Sequence, residues 1–164
     1  MAFSDRFAAL YVKPIAGSEL VNLFTSLTSK IGLSMTFPGT PSVTLLTENS
    51  EQRFVPLTEF QAIIQRSDQI SCQFWWNDSE DLYCRVMRDE DGISIEFGLD
   101  GTSVEQEQKM AHALQQIFVM LASEGAAWGL VIDRFGVTAE SSWKDIFLGR
   151  SPLGPHTQMR YCFP

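Results

Sequence analysis

The chain has 164 residues and a mass of 18.4 kDa, enough for one domain whose core needs no disulfide or metal staple. Its 45% hydrophobic and 12% aromatic content excludes a disordered chain, and no repeat or low-complexity tract interrupts it. A formal charge of -8 and a pI near 4.7 argue against nucleic acid or an anionic membrane as the direct partner, and favour a basic protein.

In chain order, the apolar run Phe7 to Val12, stopped by Lys13-Pro14, predicts a first strand. Gly17-Ser18 then opens a helix with Ser18 as the expected cap. Leu20, Phe24, Leu27 and Ile31 line one face of it, up to a stop near Gly32. The β-rich runs Leu33 to Phe37 and Val43 to Thr47, joined by Pro38-Gly39-Thr40-Pro41, predict a hairpin, and Glu48 to Gln52 reads as polar loop. Thr58 with Gln61 forms a capping-box pattern ahead of Phe60, Ile63 and Ile64, so a short second helix is expected to about Arg66.

Ile70, Cys72, Phe74 and Trp76 alternate with Ser71, Gln73 and Trp75. Leu82, Cys84 and Val86 then alternate with Tyr83, Arg85 and Met87, and after the turn Asp91-Gly92, Ile93, Ile95, Phe97 and Leu99 alternate with Ser94, Glu96 and Gly98. This predicts a three-stranded antiparallel meander with one apolar face. Its expected cover is the next helix, capped by Ser103 with Gln106 and carrying Val104, Ala111, Leu114, Phe118 and Leu121 inward. Ala127 to Phe135 reads as a buried strand, Ser142 with Asp145 caps a short helix bearing Trp143, Ile146 and Phe147, and residues 150–164 read as an irregular tail. The expected fold is a single α+β domain over 1–164: an antiparallel-dominated sheet, one long helix on its apolar face and smaller flanking helices.

The common cofactor and catalytic motifs, GxGxxG, the Walker loop, HExxH, GxSxG and the EF-hand loop, are absent, so no cofactor and no catalytic residue is assigned. The two histidines, His112 and His156, lack sequence neighbours suited to a triad or a metal site. The acidic turns Asp78-Ser79-Glu80-Asp81 and Asp89-Glu90-Asp91 fall at opposite ends of a meander and cannot share an ion, so no metal is expected. Cys72 and Cys84 share strand parity on the apolar face. With Cys162 the cysteines are odd in number and lack CxxC spacing, which fits reduced thiols better than zinc or a disulfide framework. The start of the chain lacks the pattern of a secretion signal, and the apolar stretch Ile117 to Ile132 is broken by Glu124-Gly125 and too short for a membrane span. A cytoplasmic location is expected. An enzyme reading would rest on Asp133, Arg134 or Glu140 beside a pocket at the end of the late strand; an ordinary surface ion pair is the simpler account of Asp133-Arg134.

The meander face opposite the apolar one carries Trp75, Tyr83, Arg85, Met87 and Glu96. Trp, Tyr, Met and Arg are enriched at protein interfaces, so these five are the expected protein-binding residues if the face is open. If the N-terminal hairpin or a terminal segment packs over it, the same residues form a second core.

From Ile70 to about Gly149, the pattern QFWW, LYCRVMRDEDGISIEFGLDG, a capped helix and WGLVIDRFGVTAESSWKDIFLG resembles small bacterial proteins found among the immunity proteins of polymorphic-toxin systems and their uncharacterised relatives. The resemblance spans about half the chain, and its motifs are structural. It implies a cytoplasmic, non-catalytic protein that binds and neutralises one cognate toxin, and carries no universal binding residues. The expected function is therefore stoichiometric protein binding as an immunity protein. The alternative is a secretion chaperone or adaptor for an effector, since such proteins are also small, acidic and α+β.

Overall fold

A computed structural model describes residues 6–133 and the backbone of 158–161. The helix expected from Ser142, with Trp143, Ile146 and Phe147, lies outside those residues, as do Phe135 and the rest of the tail. The elements are β1 (Phe7–Val12), α1 (Gly17–Ile31), β2 (Ser42–Leu46), β3 (Gln52–Pro56), α2 (Leu57–Arg66), β4 (Gln69–Trp75), β5 (Asp81–Arg88), β6 (Ile93–Gly98), α3 (Val104–Ser123), β7 (Ala127–Asp133) and β8 (Gln158–Tyr161). The strands form one sheet in the order β3-β2-β4-β5-β6-β1-β7-β8, with every neighbouring pair antiparallel. This is the α+β architecture that the alternation predicts.

Helix α1 carries the chain from β1 to β2 across β6, β5 and β4, and two further connections step over a single strand. Helix α2 carries the chain from β3 to β4 across β2, and α3 carries it from β6 to β7 across β1, so each is a split β-α-β unit. All three helices lie on one face of the sheet, because their buried side chains share a core with Leu10, Val43, Phe74, Val86, Ile95 and Leu130. Strand β1 is buried along its whole length, as its unbroken apolar run FAALYV requires. Its even-numbered residues join the helices. Phe7, Ala9 and Tyr11 form a smaller cluster with Val131 on the other face.

Several local expectations shift. Ser18 is not the cap of α1: the cap is Ala16, two residues earlier, whose N–H donates to Glu19 Oε2 at 3.3 Å, and the helix starts at Gly17. Helix α2 starts directly from Pro56 with no side-chain cap, so Thr58 lies inside its first turn. The α3 capping box is as expected, with Ser103 Oγ accepting from Gln106 N at 3.1 Å and Gln106 Oε1 accepting from Ser103 N at 2.9 Å. Its inward row, however, is Glu107, Met110, Ala113, Leu114, Ile117 and Phe118. Val104 is exposed, and Ala111 and Leu121 pack at the margin. The stripe is displaced because the Arg6 guanidinium meets Glu107, so a carboxylate occupies a position that a pattern reading gives to solvent.

The hairpin expected over 33–47 survives only as a bridge between Thr36 and Val43. Phe37-Pro38-Gly39-Thr40 makes the turn, with Thr40 N donating to Phe37 O at 3.0 Å and Gly39 at φ 79°. The main partner of β2 is β3, within and beyond the stretch read as loop. Thr47 to Glu51 closes that hairpin, with Ser50 at φ 61°. In the tail read as irregular, Gln158–Tyr161 pairs with β7. The turn at Asp91-Gly92 is present, but Gly92 is needed for close approach: a Cβ there would meet Val12 O at 2.0 Å.

Candidate protein-binding face

Trp75, Tyr83, Arg85, Met87 and Glu96 all lie on the sheet face opposite the helices, as their parity requires. They do not form one open surface. Glu96 is 1% exposed and accepts from Arg85 Nε at 2.8 Å and Nη2 at 2.7 Å, so the two form a buried ion pair across β5 and β6. Tyr83 is half-buried, its hydroxyl 2.9 Å from Ser71 Oγ, and Met87 is half-buried beside Ser94.

Trp75 is 7% exposed, which corrects its expected place on a docking surface. Strands β2 and β4 splay at their ends, and residues 34–37 wedge between them: Ser34 and Trp75 exchange both backbone hydrogen bonds at 2.8 Å. The indole Nε1 donates to Thr44 Oγ1 at 3.3 Å, and Phe37 stands edge-on over the ring with centroids 4.8 Å apart. Phe54 of β3 in turn stands edge-on to Phe37 at 6.2 Å and is 53% exposed. The three rings step from the buried sheet to solvent. Each edge-to-face contact adds about 1 kcal/mol beyond area burial, so the outer ring is held by the inner two.

A polar row runs beside this stack. Gln52 Nε2 donates to Gln73 Oε1 at 2.8 Å, and Gln73 Nε2 donates to Asp81 Oδ2 at 2.6 Å. Phe54, Gln52 and Phe37 were not among the expected site residues. The usable signal for them was the alternation of Gln52, Phe54 and Pro56 against Arg53 and Val55 after a turn-forming Glu48-Asn49-Ser50.

Elsewhere the chemistry-bearing side chains serve the fold. Asp89 accepts from the Tyr11 hydroxyl at 2.7 Å and from the amides of Asp91 and Gly92, and Asn77 holds the other acidic turn by accepting from Ser79 and Glu80 amides. Among the described residues no three His, Cys, Asp or Glu side chains gather to hold a metal ion. Cys72 and Cys84 are free, buried and directly opposite one another on β4 and β5. Burial, then the neighbouring Cys72 and Glu96, push the Cys84 thiol well above its usual range. His112 is exposed on α3, within reach of Gln116 at 3.1 Å. Asp133 is fully buried at the end of β7, and Arg134 and Glu140 lie outside the described residues. A cavity of about 430 Å³ between α1 and α3 is lined by Ile15, Leu23, Ile117 and Leu121 with Glu19 and Glu124. No helix among the described residues is long and apolar enough to cross a membrane.

Compared with protein-family models, curated proteins and solved structures, the chain matches none of them.

Proposed function

We propose that this chain acts by binding one folded protein stoichiometrically, in the manner of an immunity protein that blocks its cognate toxin. The observation that carries the reading is Phe54: a half-exposed aromatic ring on the terminal strand, fixed by Phe37 and Trp75 beneath it. A ring already held in place loses little freedom on contact, which is the property of an interface anchor. The charge of -8 favours encounter with a basic partner. Free, adjacent Cys72 and Cys84 suit a reducing cytoplasm as the place of action.

The exposed terminal strand also supports a second reading, a chaperone that takes up an extended segment of an effector. The two differ in what the partner must be, a folded protein or an unfolded one.

Immunity genes usually sit just downstream of the gene for their toxin, so the test is growth rescue in cells expressing the product of the gene adjacent to this one. The reading expects the wild-type chain to restore growth, Phe54→Asp to lose rescue, and the surface control Val119→Ser on α3 to retain it. Rescue by all three would place binding elsewhere, and absence of toxicity, with capture of the unfolded product only, would favour the chaperone.

A further inference from the structure

Strand β3 ends the sheet, so among the described residues no strand lies along one of its two edges. Which backbone groups face outward follows from ladder parity. Thr47 N donates to Glu51 O at 2.9 Å, which makes Thr47 and Glu51 a hydrogen-bonded pair. Counting along the β2–β3 register, Leu45 with Arg53 and Val43 with Val55 are also bonded pairs, whereas Leu46 with Gln52, Thr44 with Phe54 and Ser42 with Pro56 are not. Two observations agree with this parity. Ser42 gives its carbonyl to Phe37 N on the far side of β2, at 2.8 Å, and Pro56, which has no N–H to offer, occupies a non-bonded position. The amides and carbonyls of Gln52 and Phe54 therefore point out of the sheet, while Pro56 turns into the first turn of α2.

The two faces beside that edge differ. Gln52 and Phe54 lie on the face opposite the helices, where Phe54 offers an apolar ring. Glu51, Arg53 and Val55 lie on the helix side. There, Arg53 is matched by Glu59 at 3.6 Å, leaving the exposed Glu51 and the nearby Glu48 without a cation from this strand. Self-pairing centred on Phe54 would set two Arg53 side chains diagonal to one another and bring together two chains of charge -8, so a second copy is a poor occupant.

We infer that β3 is extended by a strand from the partner, about five residues long, with apolar side chains on the Phe54 face and lysine or arginine on the alternate positions facing Glu51. This rests on the protein-binding reading and specifies its chemistry: backbone groups of Gln52 and Phe54 supply affinity, and the two faces select an amphipathic basic strand.

The experiment is an NMR titration of the full chain with the capped peptide Lys-Val-Lys-Phe-Lys-Val-Lys, with Glu-Val-Glu-Phe-Glu-Val-Glu as counterpart. Without peptide, the amides of Gln52 and Phe54 should exchange much faster than those of Arg53 and Val55. With the basic peptide, the Gln52 and Phe54 amides should shift and become protected, and the acidic peptide should leave them unchanged. Phe54→Pro removes an outward N–H but none of the bonds to β2, and should weaken binding about tenfold. Phe54→Ala, which keeps the N–H, serves if the proline variant fails to fold; it should retain amide protection by the peptide.

Protection of Gln52 and Phe54 before any peptide is added, equal response to both peptides, or shifts confined to another surface would each overturn strand addition. If the folded partner binds wild type and Phe54→Pro alike while the peptide leaves β3 unmoved, stoichiometric binding stands and strand addition fails. If no partner binds but the basic peptide protects β3, the edge stands and the immunity reading falls.

Discussion

Glu96 shows what alternation conveys and what it omits. Its parity correctly puts it on the face away from the helices, yet it is nearly inaccessible and paired with Arg85. Alternation assigns a face but is blind to what lies over it, which is also why it leaves Trp75 open between a docking face and a covered second core, and Trp75 is found beneath Phe37. Removing Glu96 leaves the Arg85 charge largely buried, so Glu96→Ala should lower the unfolding free energy by about 3 kcal/mol in urea. The double variant Arg85→Met/Glu96→Leu should recover most of that loss; a double variant as unstable as the single one would show that the pair is more than a matched set of charges. Cys84 gives a pH signature. The unfolded chain releases a thiol proton near pH 9, whereas the folded chain holds it more tightly, so this contribution is intact below that pH and lost as pH rises above it. The alkaline fall in the urea midpoint should be shallower in Cys84→Ala than in wild type, and parallel curves would remove Cys84 as its source.

At the scale of elements, the sequence reading succeeds where a single periodic pattern is backed by local chemistry. The meander has clean alternation and acidic turns, and α3 has both halves of its capping box. It fails where exposure erases the pattern: β3 is an edge strand with one buried residue, Val55, so Gln52 reads as the end of a polar loop and no strand is expected there. It also misplaces the inner row of α3, because the buried Glu107 depends on Arg6, about a hundred residues away in sequence. The caps offer a direct check by thermal or urea unfolding. Ser103→Ala should cost about 1 kcal/mol, while Ser18→Ala and Thr58→Ala, which remove no cap, should stay within about 0.5 kcal/mol. Equal losses at all three would contradict the observed helix starts.

At the scale of the whole molecule, the described residues form one wide antiparallel sheet with three helices on one face, and its β3 end presents an aromatic ring and backbone groups that no described strand pairs, beside surplus carboxylates. The fold class was legible because burial of one sheet face leaves a two-residue period in the sequence. The aromatic stack at the β3 edge was not, because it arises where residues 34–37 wedge against Trp75 and support Phe54 from a distant part of the chain. The measurement that bears most directly on the account is calorimetric titration of the purified chain with the purified product of the adjacent gene, for wild type and Phe54→Asp. One-to-one binding, weakened about thirtyfold or more by the substitution, is the predicted result. No binding, or binding indifferent to Phe54, would contradict it.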